Sequence, residues 1–515
     1  MLVTRARVLA VAFLAVGLFG SAGVRPLPAA EAPSAAPDLT LPLAVDWQFY
    51  IGPTTLDQAP VAESGRVYVA AGASLVSLDA GSGRPLWTLA YDDALRSPPA
   101  ARFDFVYVGG PDGYLRALDA QSLFQGDQLN VLWQFPEDHS RGAFRTAVTM
   151  AGNSLYAATF DNIVYAVDRR TGTEQWSTPS DDTIQGEMAV DGDNLYATDQ
   201  GAFLSAYRRT DGRLAWRRQL PLGSEASDPA AGRDRVAVTV GNALLVFHRG
   251  GGLLWKYEHA GGALTPPAIA EPPGAAAEPP SSFRRPAGVV YVGSADGFVM
   301  AFDAETGRQL WRHEAGASLT SRPAVTPTLL FFGARGPFVV ALARADGTPR
   351  WMFWDRPPEL VAGEESDTDV LATPVVSGGA LYVLSGSGYL TRFSSGAVDK
   401  APPDYDLLKP TPGSTVTERS FDLSVVLFDA DSGVDASTLV MTLDGKAVPV
   451  VFDPRKGKVG AQVVNTADAA LPVGWHRAEV RAKDYRGNEL VRGWYFSTTT
   501  PSAAAPKPAT PARPR

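Results

Sequence analysis

The feature that most constrains this chain is a tryptophan that returns at a nearly constant interval. Trp87, Trp133, Trp176, Trp216, Trp255, Trp311 and Trp351 are separated by 46, 43, 40, 39, 56 and 40 residues. A short polar turn precedes most of them: "LDAGSG" (78–83), "VDRRTG" (167–172), "YRRTDG" (207–212), "FDAETG" (302–307) and "ARADGT" (343–348). In such a turn the Asp accepts from backbone amides and the Gly takes a positive φ. Ahead of each turn lie short runs rich in Val, Tyr, Leu and Phe, most clearly in "VVYVGSADGFVMAFDAETGRQLWRHEAG" (289–316). Four short strands per period of about 40–50 residues define a propeller blade. The widest gap contains "AEPPGAAAEPPSSFRRPAG" (270–288), a Pro-rich insertion within one blade.

One copy follows Trp351. "VLATPVVSG", "ALYVLSG" and "YLTRFSSG" (370–396) supply three strands and no Trp strand. The complement stands at the front: "LAVDWQFYIG" (43–52) has Trp47 and no strands before it, and Trp47 precedes Trp87 by 40 residues. The expectation is an all-β chain in which an eight-bladed propeller spans 43–398 and the N-terminal strand closes the last blade, leaving no free sheet edge. Each Trp would dock between neighbouring sheets. Burying 150–250 Å² gives at most about 4–6 kcal/mol per ring.

The repeat in 289–314, and "YVGGPDGYLRALDA" (107–120), resembles the PQQ-type β-propeller repeat, G-x-x-D-G-x-[LV]-x-A-[LF]-D-x-x-T-G-x-x-x-W. The resemblance covers about 43–396. The family includes quinoprotein dehydrogenases, which hold pyrroloquinoline quinone beside a vicinal Cys pair, with a Ca²⁺ on Glu, Asn and Asp and an Asp base. It also includes BamB-like propellers of outer-membrane assembly, which are not enzymes. This chain has no Cys and no constellation that matches the calcium or base positions. The resemblance therefore implies a non-catalytic, protein-binding scaffold, with no catalytic or cofactor-binding residues and no quinone. A quinoprotein dehydrogenase-like enzyme and a binder of glycan or another envelope polymer are the alternatives.

"MLVTRARVLAVAFLAVGLFGSAG" reads as a secretory signal peptide (1–30), with a basic start and an apolar run of about 13 residues, short for a membrane span. Residues 31–42 read as a flexible lead-in. With no Cys for a lipobox, the expected product is periplasmic or secreted, without a lipid anchor, and monomeric. Removing 1–30 takes Arg5, Arg7 and Arg25 and leaves 43 Lys+Arg against 55 Asp+Glu, a net charge of −12. That balance disfavours nucleic acid, and the resemblance to BamB-like propellers implies envelope proteins as partners.

After the linker-like "DKAPPDYDLLKPTPGST" (399–415), about seven short strands at 8–12-residue spacing predict a β-sandwich over 399–497. "DADSGVDASTLVMTLDGKAV" and "GWHRAEVRAKDYRGN" resemble bacterial Ig-like or fibronectin-like modules. Trp475 and Trp494 belong to that unit, and 498–515 is a Pro/Ala-rich tail predicted to be disordered.

Candidate sites follow from this geometry. Asp429, Asp431 and Asp435 in "DADSGVD" admit two readings, an oxygen-rich Ca²⁺ loop that Asp484 and Asn488 could approach, or ordinary turn and strand-end carboxylates. Ser97, Arg145, Glu187, Asp228, Thr265, Arg322 and Thr373 precede the inner strands and are expected to ring one mouth of the channel. Trp354, Glu364 and Glu365 lie in the long acidic "WDRPPELVAGEESDTD" (354–369) on the same face, and long loops on a rigid scaffold commonly bind. The candidate binding face is thus Arg145, Glu187, Asp228, Arg322, Trp354, Glu364 and Glu365. His259 and His313 are expected to face solvent on outer strands.

Overall fold

The structure is a computed structural model that describes residues 39–499 apart from 53–58, 104, 122–123, 126–127, 138–141, 185, 233, 272–287, 336–337, 355–369, 371, 419, 454–457 and 465–470. The predicted lead peptide, residues 500–515 of the tail, the centre of the Pro-rich insertion, and Glu364 and Glu365 lie outside the described residues. Thr498, assigned to the tail from the sequence, instead ends a strand and is buried, because it pairs with the strand beside it.

Every regular element among the described residues is a β-strand. Between 44 and 394 these strands form eight antiparallel four-stranded sheets and one two-stranded hairpin, Phe124–Gln125 with Gln128–Leu129. Seven follow chain order: 61–90 (the first), 100–135, 149–179, 189–219, 230–258, 268–314 and 324–354 (the seventh). The eighth combines three strands from 375–394 with Ala44–Tyr50, which pairs with Tyr389–Ser394. The strand that begins the repeat region thus completes the sheet that ends it. This is the arrangement of a β-propeller.

The repeat works through one cross-strand rung. In the second sheet Tyr107 and Trp133 both lie opposite Ala117; in the sixth, Tyr291 and Trp311 both lie opposite Ala301. A small residue in the third strand lets the flanking rings meet above it, and those pairs sit with centroids 6.0 Å apart. Ala166 and Ala206 do the same for Tyr156–Trp176 and Tyr196–Trp216. Each indole then reaches the next sheet. Trp47 donates to the Ala80 carbonyl at 3.1 Å, Trp176 to Arg209 at 2.8 Å, Trp216 to Arg249 at 2.7 Å and Trp255 to Ala304 at 3.0 Å.

The glycine of the receiving turn is required by this docking. A Cβ on Gly307 would stand 2.7 Å from the Trp255 ring, and Gly307 has φ +71°. The backbone therefore serves as the floor on which the indole rests, a role no residue with a side chain fills.

Eight apolar clusters separate the sheets, one for each neighbouring pair and including one between the eighth and the first. Alternation places successive residues of a strand in successive clusters: Tyr68 and Ala70 face the second sheet, and Val67 and Val69 face the eighth.

The strands from Asp404 onward form two sheets around their own core. One is ordered Asp404–Lys409, Ser420–Phe428, Lys458–Val464, Val451–Asp453; the other Thr415–Val416, Glu489–Thr498, Gly474–Asp484, Val434–Leu443, Lys446–Val448. There are nine strands, against the seven or so predicted; two-residue and three-residue strands such as Thr415–Val416 and Lys446–Val448 are too short to show a period. Leu423, Val425, Met441, Val480, Trp494 and Phe496 anchor the core. Trp494 is buried and donates to the Pro410 carbonyl at 3.0 Å, whereas Trp475 is exposed.

This unit is seated on the propeller. Trp351 has no blade turn to dock on in the eighth sheet and instead donates to the carbonyls of Leu43 (3.2 Å) and Ser432 (3.1 Å). Val45 donates to Asp431 O at 2.8 Å, and Arg486 Nη2 donates to the carbonyls of Ser395 and Ala397, each at 2.9 Å.

Candidate binding face

The inner strands begin on one face, next to the hairpins between second and third strands. Six of the seven residues predicted to ring this mouth divide into three groups; the seventh, Thr373, is half-buried. Arg322, Glu187 and Asp228 come together. Arg322 begins the seventh sheet and reaches across to the fourth and fifth: Nη1 meets Glu187 Oε2 at 3.1 Å, and Nη2 donates to the carbonyls of Asp228 and Pro229 at 3.3 Å. Burial raises the Asp228 carboxyl to about 6, opposed by Arg322 and aided by the Glu187 charge. The Arg322 guanidinium and the Glu187 carboxylate therefore pair with one another, and an arginine crosses the opening.

Ser97 and Thr265 are buried and do not line the mouth. Thr265 Oγ1 accepts from Gly293 N at 2.9 Å, a link inside the sheet. Arg145 turns away; its guanidinium lies 4.8 Å from the centre of the Phe160 ring. Trp354 ends the strand Pro349–Trp354.

Sequence reasoning missed the concave site on this face. The hairpin 199–202 of the fourth sheet and the connection 222–226 to the fifth enclose a cleft of about 640 Å³. Leu222 stands at its rim, 79% exposed. Arg217 stiffens one wall. It pairs with Asp181 and with Asp199 Oδ2 (2.9 Å) and lies 3.7 Å from the centre of the Phe203 ring. The residues 220–226, "LPLGSEA", read only as a connection, because the cleft arises from the spacing of two loops rather than from any motif.

Two histidines also differ from expectation. His259 is buried just past the strand Leu253–Glu258, with Nε2 2.8 Å from Asp296 Oδ1 and Nδ1 3.3 Å from the Tyr257 hydroxyl. Alternation puts position 259 on the same side of the chain as the inward-facing Trp255 and Tyr257, opposite the exposed Lys256 and Glu258, so the ring turns inward against Tyr257. His313 is half-buried, which lowers its pKa.

The Asp429–Asp435 segment is split. Asp429 Oδ1 accepts from the amides of Asp431, Ser432 and Gly433, at 3.1, 2.7 and 2.9 Å. Asp435 is engaged elsewhere, accepting from Ser437 N and Oγ. The carboxylates that gather with Asp429 are Asp399 and Asp484. Of the three predicted ligands, then, Asp429 is central, Asp431 is at the exposed edge and Asp435 is outside.

A propeller of stacked Trp-docked sheets, built on this repeat, defines a PQQ-type repeat protein. Residues 44–183, 160–278 and 224–401 match the family described as outer membrane protein assembly factor BamB, and the chain belongs to that family. Among curated relatives, BamB of Bordetella pertussis is 22% identical over 40% of this chain and 50% of its own length. BamB of Yersinia pestis is 23% identical over 57% of this chain and 72% of its own length. The chain therefore spans half the length of the first and nearly three quarters of the second. A crystal structure of BamB from Moraxella catarrhalis aligns with 70% of this chain and all of its own, at 16% identity and a TM-score of 0.49. The chain holds no cysteine, and Arg322 reaches across the mouth to Glu187 and to the carbonyls of Asp228 and Pro229.

Proposed function

We propose that this protein is an exported, non-catalytic, eight-bladed propeller with an Ig-like C-terminal domain, and that it binds proteins of the cell envelope, in outer-membrane protein assembly. The observation that carries this reading is the cleft between 199–202 and 222–226, with Leu222 exposed beside a mouth that Arg322 closes. An exposed leucine on a rigid concave rim is the kind of anchor that protein partners bury. The cation that reaches across the mouth, Arg322, is engaged by Glu187 rather than open to a small anionic substrate. The name carried by the relatives, an outer-membrane assembly factor, points the same way.

The test is affinity capture of the full chain after crosslinking in its native envelope, beside a Leu222→Asp variant. The expected result is a defined outer-membrane assembly protein in the first capture and its loss in the second. Equal recovery by both would remove the cleft from the account.

A second reading, binding of glycan through the C-terminal unit, is favoured by one feature. Trp475 (66% exposed) and Tyr495 (55% exposed) are diagonal neighbours on adjacent strands, where Arg477 pairs with Tyr495 and Trp475 with Ser497. Retention of the protein on envelope glycan, lost in Trp475→Ala, would select it.

A further inference from the structure

We propose that Asp399, Asp429 and Asp484 form a calcium-binding site at the seam between the propeller and the C-terminal unit. One carboxylate oxygen from each lies within 4.8 Å of the others, and all three residues are buried. Calcium takes oxygen ligands at about 2.3–2.6 Å, so oxygens on opposite sides of one ion stand about 4.6–5.2 Å apart. The observed spread fits a shared ion. Among the described residues no imidazole joins the group, and the chain has no Cys, which favours a hard cation over zinc.

The carboxylates are already aimed. Asp429 is fixed by three amides through Oδ1. Asp484 Oδ1 accepts from the amides of Arg486 (2.8 Å) and Asn488 (2.9 Å), and its Oδ2 accepts from Asn488 Nδ2 at 2.6 Å. Asp399 Oδ1 accepts from Ala401 N at 2.9 Å. The other oxygen of Asp399 has no hydrogen-bond partner, although the residue is only 8% exposed. A buried carboxylate oxygen without a partner is costly, and a cation resolves that cost for all three groups together.

Among the described residues, no Lys or Arg forms an ion pair with any of the three. Arg486, next in sequence to Tyr485 and Asp484, directs Nη2 to the carbonyls of Ser395 and Ala397 instead. Asp431, exposed at the edge and within electrostatic reach of Asp399 and Asp484, gives an arriving cation a first contact. The three ligands come from three segments: the linker after Tyr389–Ser394, the turn after Ser420–Phe428 and the end of Gly474–Asp484. The ion would therefore tie the linker to two loops of the C-terminal unit.

The probe is Tb³⁺ luminescence on the full chain, sensitised by Trp351, which donates to Ser432 O beside Asp429, and by Tyr485 beside Asp484. Saturable binding of one ion per chain, displaced by Ca²⁺, is expected, with affinity falling at least about tenfold in Asp399→Asn. Chelation should lower the melting midpoint of the wild type by several degrees, and Ca²⁺ should restore it. The proposal is overturned if Tb³⁺ does not saturate, or binds equally well to Asp399→Asn. It is also overturned if chelation leaves the wild-type midpoint unchanged, a comparison that needs no variant. A higher midpoint for Asp399→Asn than for calcium-supplied wild type would overturn it too, since that is the signature of relieved repulsion without an ion.

Discussion

Replacing Trp47 with Ala tests the closure of the propeller at its one covalent break. Trp47 lies on the only strand of its sheet that comes from the start of the chain, paired with Tyr389–Ser394. Its indole donates to Ala80 O at 3.1 Å, rests on Gly83 and packs 6.2 Å from the ring of Tyr382. The ring is partly buried. Taking half of a typical 150–250 Å² at about 25 cal/mol/Å² gives roughly 2–3 kcal/mol. The lost hydrogen bond contributes about 1 kcal/mol. The sum, about 3–4 kcal/mol, lies in the usual range for a large aromatic cut to Ala. Urea unfolding of the full chain, followed by tryptophan fluorescence with Trp475→Ala as the exposed control, measures it. The reasoning fails if Trp47→Ala leaves the propeller midpoint where the control leaves it.

Three other outcomes follow from the same geometry. Gly307→Ala should destabilise by about 2–3 kcal/mol, because the methyl meets the Trp255 ring at positive φ, whereas Gly378→Ala, also at positive φ but with open space around it, should cost about 1 kcal/mol; equal midpoints in thermal melts would contradict this. Asp228 is raised to about 6 in the folded chain against about 3.9 unfolded, so the native state binds the extra proton and stability falls as pH rises through about 4 to 6. Asp228→Asn should therefore gain up to about 2–3 kcal/mol over wild type at pH 7 and nothing at pH 4, read from urea midpoints at the two pH values; a difference independent of pH would refute it. Protein mixed with pyrroloquinoline quinone, Ca²⁺ and an alcohol should not reduce a dye above a buffer control, and turnover would reinstate the dehydrogenase alternative.

The repeat was legible because a docked indole demands several residues at once. A Gly floor, an Asp-capped turn and a small residue opposite Tyr and Trp recur together, as in Ala301, Asp303, Gly307 and Trp311. The seam was legible only in part. "DADSG" resembles a blade turn and receives Trp351, yet nothing around Asp399 marks it as a neighbour of Asp429 and Asp484, because that proximity depends on how two units sit together. The residues ahead of the inner strands could be named from the chain, but side-chain direction was not readable: Arg322 crosses the opening, Arg145 turns to Phe160, and Ser97 lies buried. The cleft beside Leu222 was invisible because it arises from the spacing of two loops.

The most direct measurement is site-specific photocrosslinking in the native envelope, with the photoreactive residue at position 222 of the full chain and, separately, at position 451, an exposed valine of the C-terminal unit. The account predicts that position 222 captures a defined outer-membrane assembly protein and position 451 does not. Capture of that protein at 451 and not at 222, or no capture at 222, would contradict the claim that this face of the propeller is where the partner binds.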